Sequence, residues 1–150
     1  MRSIVAVFLG ILLALGIGLL VSIGILAPVL SWLYGLEPSR SAAVPVVLPL
    51  LVFVAGFAFY FGGMAASYRA PGRRRLHGTL VAPVAFVISP VVNLASGRVP
   101  FPKVDSLPAT LFLLLLLLVS VAAAYVGGRR GESLYAYNQS FSRRKRPSGK

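Results

Sequence analysis

Apolar and polar positions alternate along this chain in long blocks, not residue by residue. Four blocks are apolar, covering 4–26, 45–66, 78–95 and 107–126, and none contains Asp, Glu, Lys or Arg. A helix needs roughly 20 apolar residues, within a range of about 17 to 25, to cross the hydrocarbon of a bilayer. All four blocks meet that length. The pattern predicts an all-α membrane protein with four transmembrane helices within residues 1–131, followed by a tail over 132–150.

Two blocks need separate thought. The first follows Arg2 and so resembles a secretory signal, but its apolar core exceeds the usual 7 to 15 residues or so, and no small-x-small cleavage site follows. It reads as a retained span, and Pro28 is expected to end or kink its helix. Trp32 and Tyr34, just beyond, suit the membrane–water interface. The third block is short and carries Pro83 and Pro90, so a re-entrant hairpin is the alternative to a full crossing.

Charge decides between them. Arg2 precedes the first span; Arg69, Arg73, Arg74 and Arg75 lie between the second and third; Arg129, Arg130, Arg143, Arg144, Lys145, Arg146 and Lys150 follow the fourth. Only Arg40, Arg98 and Lys103 fall in the other two loops. Basic residues in short loops mark the cytoplasmic side. Four true crossings place twelve of the fifteen Lys and Arg residues on that side, with both termini inside (N-in/C-in). A re-entrant third segment would strand the basic tail outside.

Composition narrows the chemistry. The chain has 57% hydrophobic and 12% charged residues, against about a quarter charged in soluble domains, so lipid must cover much of its surface. The net charge of +12 is explained by topology, and no nucleic-acid partner is expected. There is no cysteine, one His and three acids. No disulfide, metal site or cofactor is therefore expected, and no acid pair, His cluster or Ser–Lys pair in a span suggests an enzyme. His77 stands at the inner mouth of the third span and reads as an ordinary interfacial residue. Asn93 and Ser31, near the outer ends of their spans, suit interface hydration or a bond between helices.

The two halves resemble one another. Pro28, Gly35 and Pro38 match Pro90, Gly97 and Pro100 at one offset, and Tyr60-Phe61-Gly62-Gly63 matches Tyr125-Val126-Gly127-Gly128 at an offset three residues longer. This suggests two duplicated helical hairpins that both start inside, the parallel type of repeat. Chance similarity between Gly- and Pro-rich apolar helices is the competing explanation.

Small residues recur every fourth position: Ala6, Gly10, Ala14, Gly18 and Ser22 in the first span, Ala58, Gly62 and Ala66 in the second, Ser120, Ala124 and Gly128 in the fourth. Such stripes let helix backbones approach closely. Packing within the four-helix bundle is the favoured reading, and oligomerisation the alternative. In the tail, Leu134, Tyr137 and Phe141 share a helical face, which suits a short interfacial helix. Glu132, the one acid in the inner segments, is expected to pair with a loop arginine. Arg73, Arg74, Arg75, Arg143, Arg144, Lys145 and Arg146 are candidate contacts for anionic lipid headgroups at the cytoplasmic face.

At the inner end of the second span the chain reads Gly62-Gly63-Met64-Ala65-Ala66, then a basic loop, then Leu76-His77-Gly78. This resembles a family of small, uncharacterised bacterial four-helix membrane proteins, in which a Gly-Gly-x-x-Ala helix end and a Leu-His-Gly helix start bracket a basic loop. The resemblance implies a bacterial plasma membrane and supplies no activity. The Arg73-Arg74-Arg75 run and the long tail depart from it. Arginine outnumbers lysine twelve to three, which suits a GC-rich genome.

The function expected from these features is that of an integral membrane protein without catalytic chemistry, packing with itself or with a membrane-protein partner. A small transporter or channel subunit and a holin-like pore are the alternatives. The absence of a membrane-embedded acid argues against a proton-coupled exporter. Orientation gives the first test. Protease added to intact cells is expected to leave residues 132–150 uncut, and cleavage there from outside would overturn the orientation.

Overall fold

The computed structural model describes residues 2–34, 47–96 and 107–144. Nearly all of them are helical. Helix α1 covers Arg2–Val21 and passes through a π-helical turn, Ser22–Leu26, into α2, Ala27–Tyr34. Helix α3 covers Val47–Arg69, α4 Arg74–Ala95 and α5 Leu107–Arg144. Four helices are long and apolar enough to cross a membrane: the composite of α1 and α2, then α3, α4 and α5.

Boundaries differ from the sequence expectation for physical reasons. Pro28 does not end the first helix. A proline lacks an N–H and its ring collides with the carbonyl four residues back. The π-helical turn relieves this: the Ala27 N–H donates to Ser22 O, five residues back, and widens the helix just before the proline. Pro83 and Pro90 likewise sit inside a continuous α4, which extends back to Arg74 as a complete helix and is not a re-entrant hairpin. Helix α3 runs three residues past the expected end, to Arg69, and residues 45 and 46 lie outside the described ones. Helix α5 does not stop at 126. Its 38 residues extend about 57 Å at ~1.5 Å per residue, against a hydrocarbon core of ~30 Å. The helix is continuous across 131–132, so the first part of the tail extends α5 and forms no separate helix.

Helix α3 is the hub, packing on α1, α4 and α5, while α1 and α5 flank it without a packed face of their own. Its contact with α1 is made where Gly10 meets Gly62. A Cβ added to Gly10 would lie 2.7 Å from Gly62 O, and one added to Gly62 would lie 2.6 Å from Gly10 O. Gly18, two turns further along α1, faces Ala58, one turn back along α3, so α1 and α3 are antiparallel. On its other side Gly63 presses against the Ala124 backbone, Gly127 against Tyr60 O and Gly131 against Met64 O. Gly56 with Val119, Tyr60 with Gly127 and Met64 with Gly131 advance together along both helices, so α3 and α5 are parallel. A Cβ on Gly78 would lie 2.6 Å from the Gly128 Cα, in the antiparallel contact of α4 with α5.

Of the predicted small-residue stripes, Gly10, Ala14, Gly18, Ala58, Gly62, Ala66, Ala124 and Gly128 meet another helix at these seams. Ala6, Gly10, Ala14, Ala58, Gly62, Ala66, Ser120, Ala124 and Gly128 are buried, while Gly18 and Ser22 are half-buried where α1 leaves the seam. Ile11, Ala66 and Val81 form a small apolar core between α1, α3 and α4. Large side chains such as Ile4, Phe53, Val87 and Leu118 point outward, the inverse of a soluble bundle and the expected surface for lipid.

The glycine seams generate a stability prediction. Gly63→Ala places a methyl group against the Ala124 backbone, which no rotamer relieves, and is expected to cost about 1 to 3 kcal/mol. Gly16→Ala, where a Cβ meets nothing within 4 Å, is expected to be neutral. Thermal unfolding of the two variants in detergent measures the contrast.

Candidate functional site at the basic end of the bundle

With α1 parallel to α4, and both antiparallel to α3 and α5, one end of the bundle collects three basic pieces of the sequence. These are the start of α1 at Arg2, the turn joining α3 to α4, and α5 from Arg129 onward.

The turn is short. The Ala70 N–H still donates to Ala66 O at 3.0 Å, and then Pro71 and Gly72 stop α3. Arg73 takes the left-handed region with φ of 42°, unusual for a residue with a side chain. Its carbonyl starts α4 by accepting from the Leu76 N–H at 3.0 Å and the His77 N–H at 3.4 Å. His77 Nδ1 lies 3.1 Å from the same oxygen, which can only accept.

Arg74 reaches back across the turn. Its Nη1 donates to the Ser67 carbonyl at 3.2 Å and the Tyr68 carbonyl at 2.8 Å. These are among the last carbonyls of α3, which have no partner within the helix, and a cation there also meets the negative end of the helix dipole. The guanidinium lies over the Tyr135 ring, with Cζ 3.2 Å from its centroid. Tyr135 meets Tyr68 edge to face at 5.9 Å, and Asn138 Nδ2 donates to the Tyr68 hydroxyl at 2.9 Å. Arg75 pairs with Glu132 through Nε and Oε2. Beneath these contacts, in the dry seam, the buried Ser67 hydroxyl donates to Gly128 O at 2.7 Å.

Together these contacts fasten the extension of α5 to the α3–α4 turn. Glu132, Tyr135 and Asn138 fall at i, i+3 and i+6, one side of a helix, which turns toward the α3 end and the turn, while Tyr137 and Phe141 remain exposed. Sequence reading paired Glu132 with a loop arginine, and that partner is Arg75. It missed Ser67, Tyr68, Tyr135 and Asn138. The i, i+3, i+6 spacing from Glu132 was the available signal for Tyr135 and Asn138.

The candidate lipid-contacting arginines separate. Arg74 is half-buried and committed to α3, Arg75 is held by Glu132, and Arg73 is exposed. Arg69, Arg129 and Arg130 are exposed at the same end and add to that surface. Nothing is described of the side chains of Arg143 and Arg144, and Lys145 and Arg146 lie outside the described residues. Among the described residues no group of three or more His, Cys, Asp or Glu gathers to hold a metal ion. Buried polar side chains among them are Ser67 and Ser120, and the Ser120 hydroxyl has no hydrogen-bond partner.

The contacts of Arg74 and Glu132 differ in kind, and so should their removal. Arg74→Ala strips charge-assisted bonds from the α3 end and the cation–π contact, and is expected to cost roughly 1 to 3 kcal/mol and open α5 beyond 132 to protease. Glu132→Gln breaks a solvent-exposed pair and is expected to cost at most about 1 kcal/mol. Thermal unfolding with limited proteolysis ranks the two, and an equal or reversed order would contradict this division of roles. Comparison with protein-family models, curated proteins and solved structures finds no match for this chain, so its own geometry carries the functional reading.

Proposed function

We propose that this chain is a non-enzymatic integral membrane protein of a bacterial plasma membrane that works by packing with itself or with another membrane protein. In this reading both termini are cytoplasmic, and the fastened α5 helix stands inside the cell with its basic end beside the anionic headgroups. The orientation is supported by the charge count and by the gathering of Arg2, the 70–73 turn and Arg129–Arg130 at one end of the bundle. The duplicated hairpins are supported by the parallel courses of α1 with α4 and of α3 with α5.

One observation carries the packing reading. The small-residue stripes are largely used inside the bundle, yet one long face of the hub helix is left uncovered by the described residues. Phe53, Phe57 and Phe61 ascend that face of α3 between α1 and α5, with successive rings 6.4 and 4.9 Å apart. In lipid the hydrophobic effect does not bring helices together, so shape and rigidity of such a face decide what packs there. A ladder of rings in mutual contact is a stiff surface with few rotamers to lose.

A photoreactive residue at Phe57 tests the reading in native membranes. An adduct of one constant mass is expected at Phe57 and absent at Val87, a lipid-exposed position on α4. Equal adducts at both positions, or lipid adducts alone, would remove it. The transporter or channel alternative draws on the parallel repeat, and solute flux above that of empty liposomes would favour it instead.

A further inference from the structure

The bundle has a second open feature, independent of the phenylalanine ladder. A groove of about 320 Å³ runs between α1 and α4. Ile4, Val7 and Ile11 form one wall, and Leu80, Val84 and Ile88 form the other. Ser3 and His77 stand at its basic end, and the rest of the lining is apolar. From this geometry we infer that the groove holds one acyl chain of an anionic phospholipid from the cytoplasmic leaflet, with the lipid phosphate at His77 and Arg73.

Length selects the occupant. From His77 to Ile88 the groove descends about 16 Å along α4, at ~1.5 Å per residue. That is close to half of the ~30 Å hydrocarbon core, the depth of a single leaflet. A transmembrane helix would need a face running through both leaflets. A groove of this length matches one leaflet, which suits a lipid chain entering from one side.

Charge selects the headgroup. Glu132 is the one acid among the described residues, and Arg75 already holds it. No carboxylate among them competes at the mouth. Arg73 is exposed there, and its left-handed backbone places its carbonyl against His77 Nδ1. That contact holds the ring at the mouth of the groove. The α1 and α4 helices also start side by side at this mouth, and neither has an acid in its first turn. Their positive dipole ends add to the field that a phosphate meets. Placement in the cytoplasmic leaflet rests on the orientation proposed above, while the groove is separate from the phenylalanine face.

Native mass spectrometry of the full chain, released from nanodiscs containing equal phosphatidylglycerol and phosphatidylcholine with the same acyl chains, tests it. One retained phosphatidylglycerol per protomer is expected. Val84→Trp, which fills the groove, is expected to abolish retention, and the smaller Val84→Phe to reduce it, so that misfolding of one variant does not decide the outcome. Arg73→Asn, which tolerates the left-handed backbone, is expected to weaken retention about five-fold, the effect of one basic residue near an anionic surface. Val52→Trp, in the separate groove between α3 and α5, is expected to change nothing. Equal retention of both lipids, retention unaffected by either Val84 variant, or a protein-sized adduct in place of lipid would overturn the inference.

Discussion

Close approach of helix backbones at glycine is the constraint on which the rest of this structure depends. Inside a bilayer, lipid tails are as apolar as leucine, and burial gives helices little reason to associate. What remains is van der Waals contact and short polar bonds, and both demand proximity. Gly10 and Gly62 bring α1 onto α3; Gly63, Gly127 and Gly131 bring α5 onto its other side; Gly78 and Gly128 bring α4 onto α5. With its neighbours seated on backbone, α3 keeps its large side chains for lipid and for the phenylalanine ladder. The Ser67–Gly128 hydrogen bond is possible only because the Gly128 backbone is uncovered.

The basic end depends on those seams in turn. Parallel packing of α3 and α5 carries Glu132 and Tyr135 to the height of the α3–α4 turn, where Arg75 and Arg74 meet them. A shift of one turn along the seam would separate every one of these pairs. The turn is built to the same purpose: Pro71 and Gly72 stop α3, the left-handed Arg73 redirects the chain, and Arg74 satisfies the carbonyls left open. The arginine run therefore has divided duties. One residue holds a helix end, one holds α5, and one faces outward.

Much of this was legible in the sequence. Block hydrophobicity gave four spans because lipid demands long apolar helices and punishes charge within them. The four-residue stripes pointed to the packing faces because spacing near the helical period fixes which side a residue occupies. Other features were not legible. Continuity through Pro28 needed a π-helical turn, which no local residue type announces. The length of α5 was hidden because its residues become polar where the helix leaves the membrane, and polarity resembles the end of a span. Arg74 and Tyr135 are 61 positions apart, and only the register of α3 on α5 brings them together. Function was least legible of all, because the polar groups present serve helix ends and the distinctive surfaces are apolar.

The central claim is that α3, α4 and α5 touch through their backbones at the paired glycine positions. Solid-state NMR of the full chain in lipid bilayers, with carbon-13 in glycine and alanine, tests it most directly. Cross-peaks are predicted between the Gly63 Cα and the Ala124 carbonyl carbon, and between the Gly78 and Gly128 Cα atoms. A spectrum in which these glycines correlate only with residues of their own helices would contradict the account.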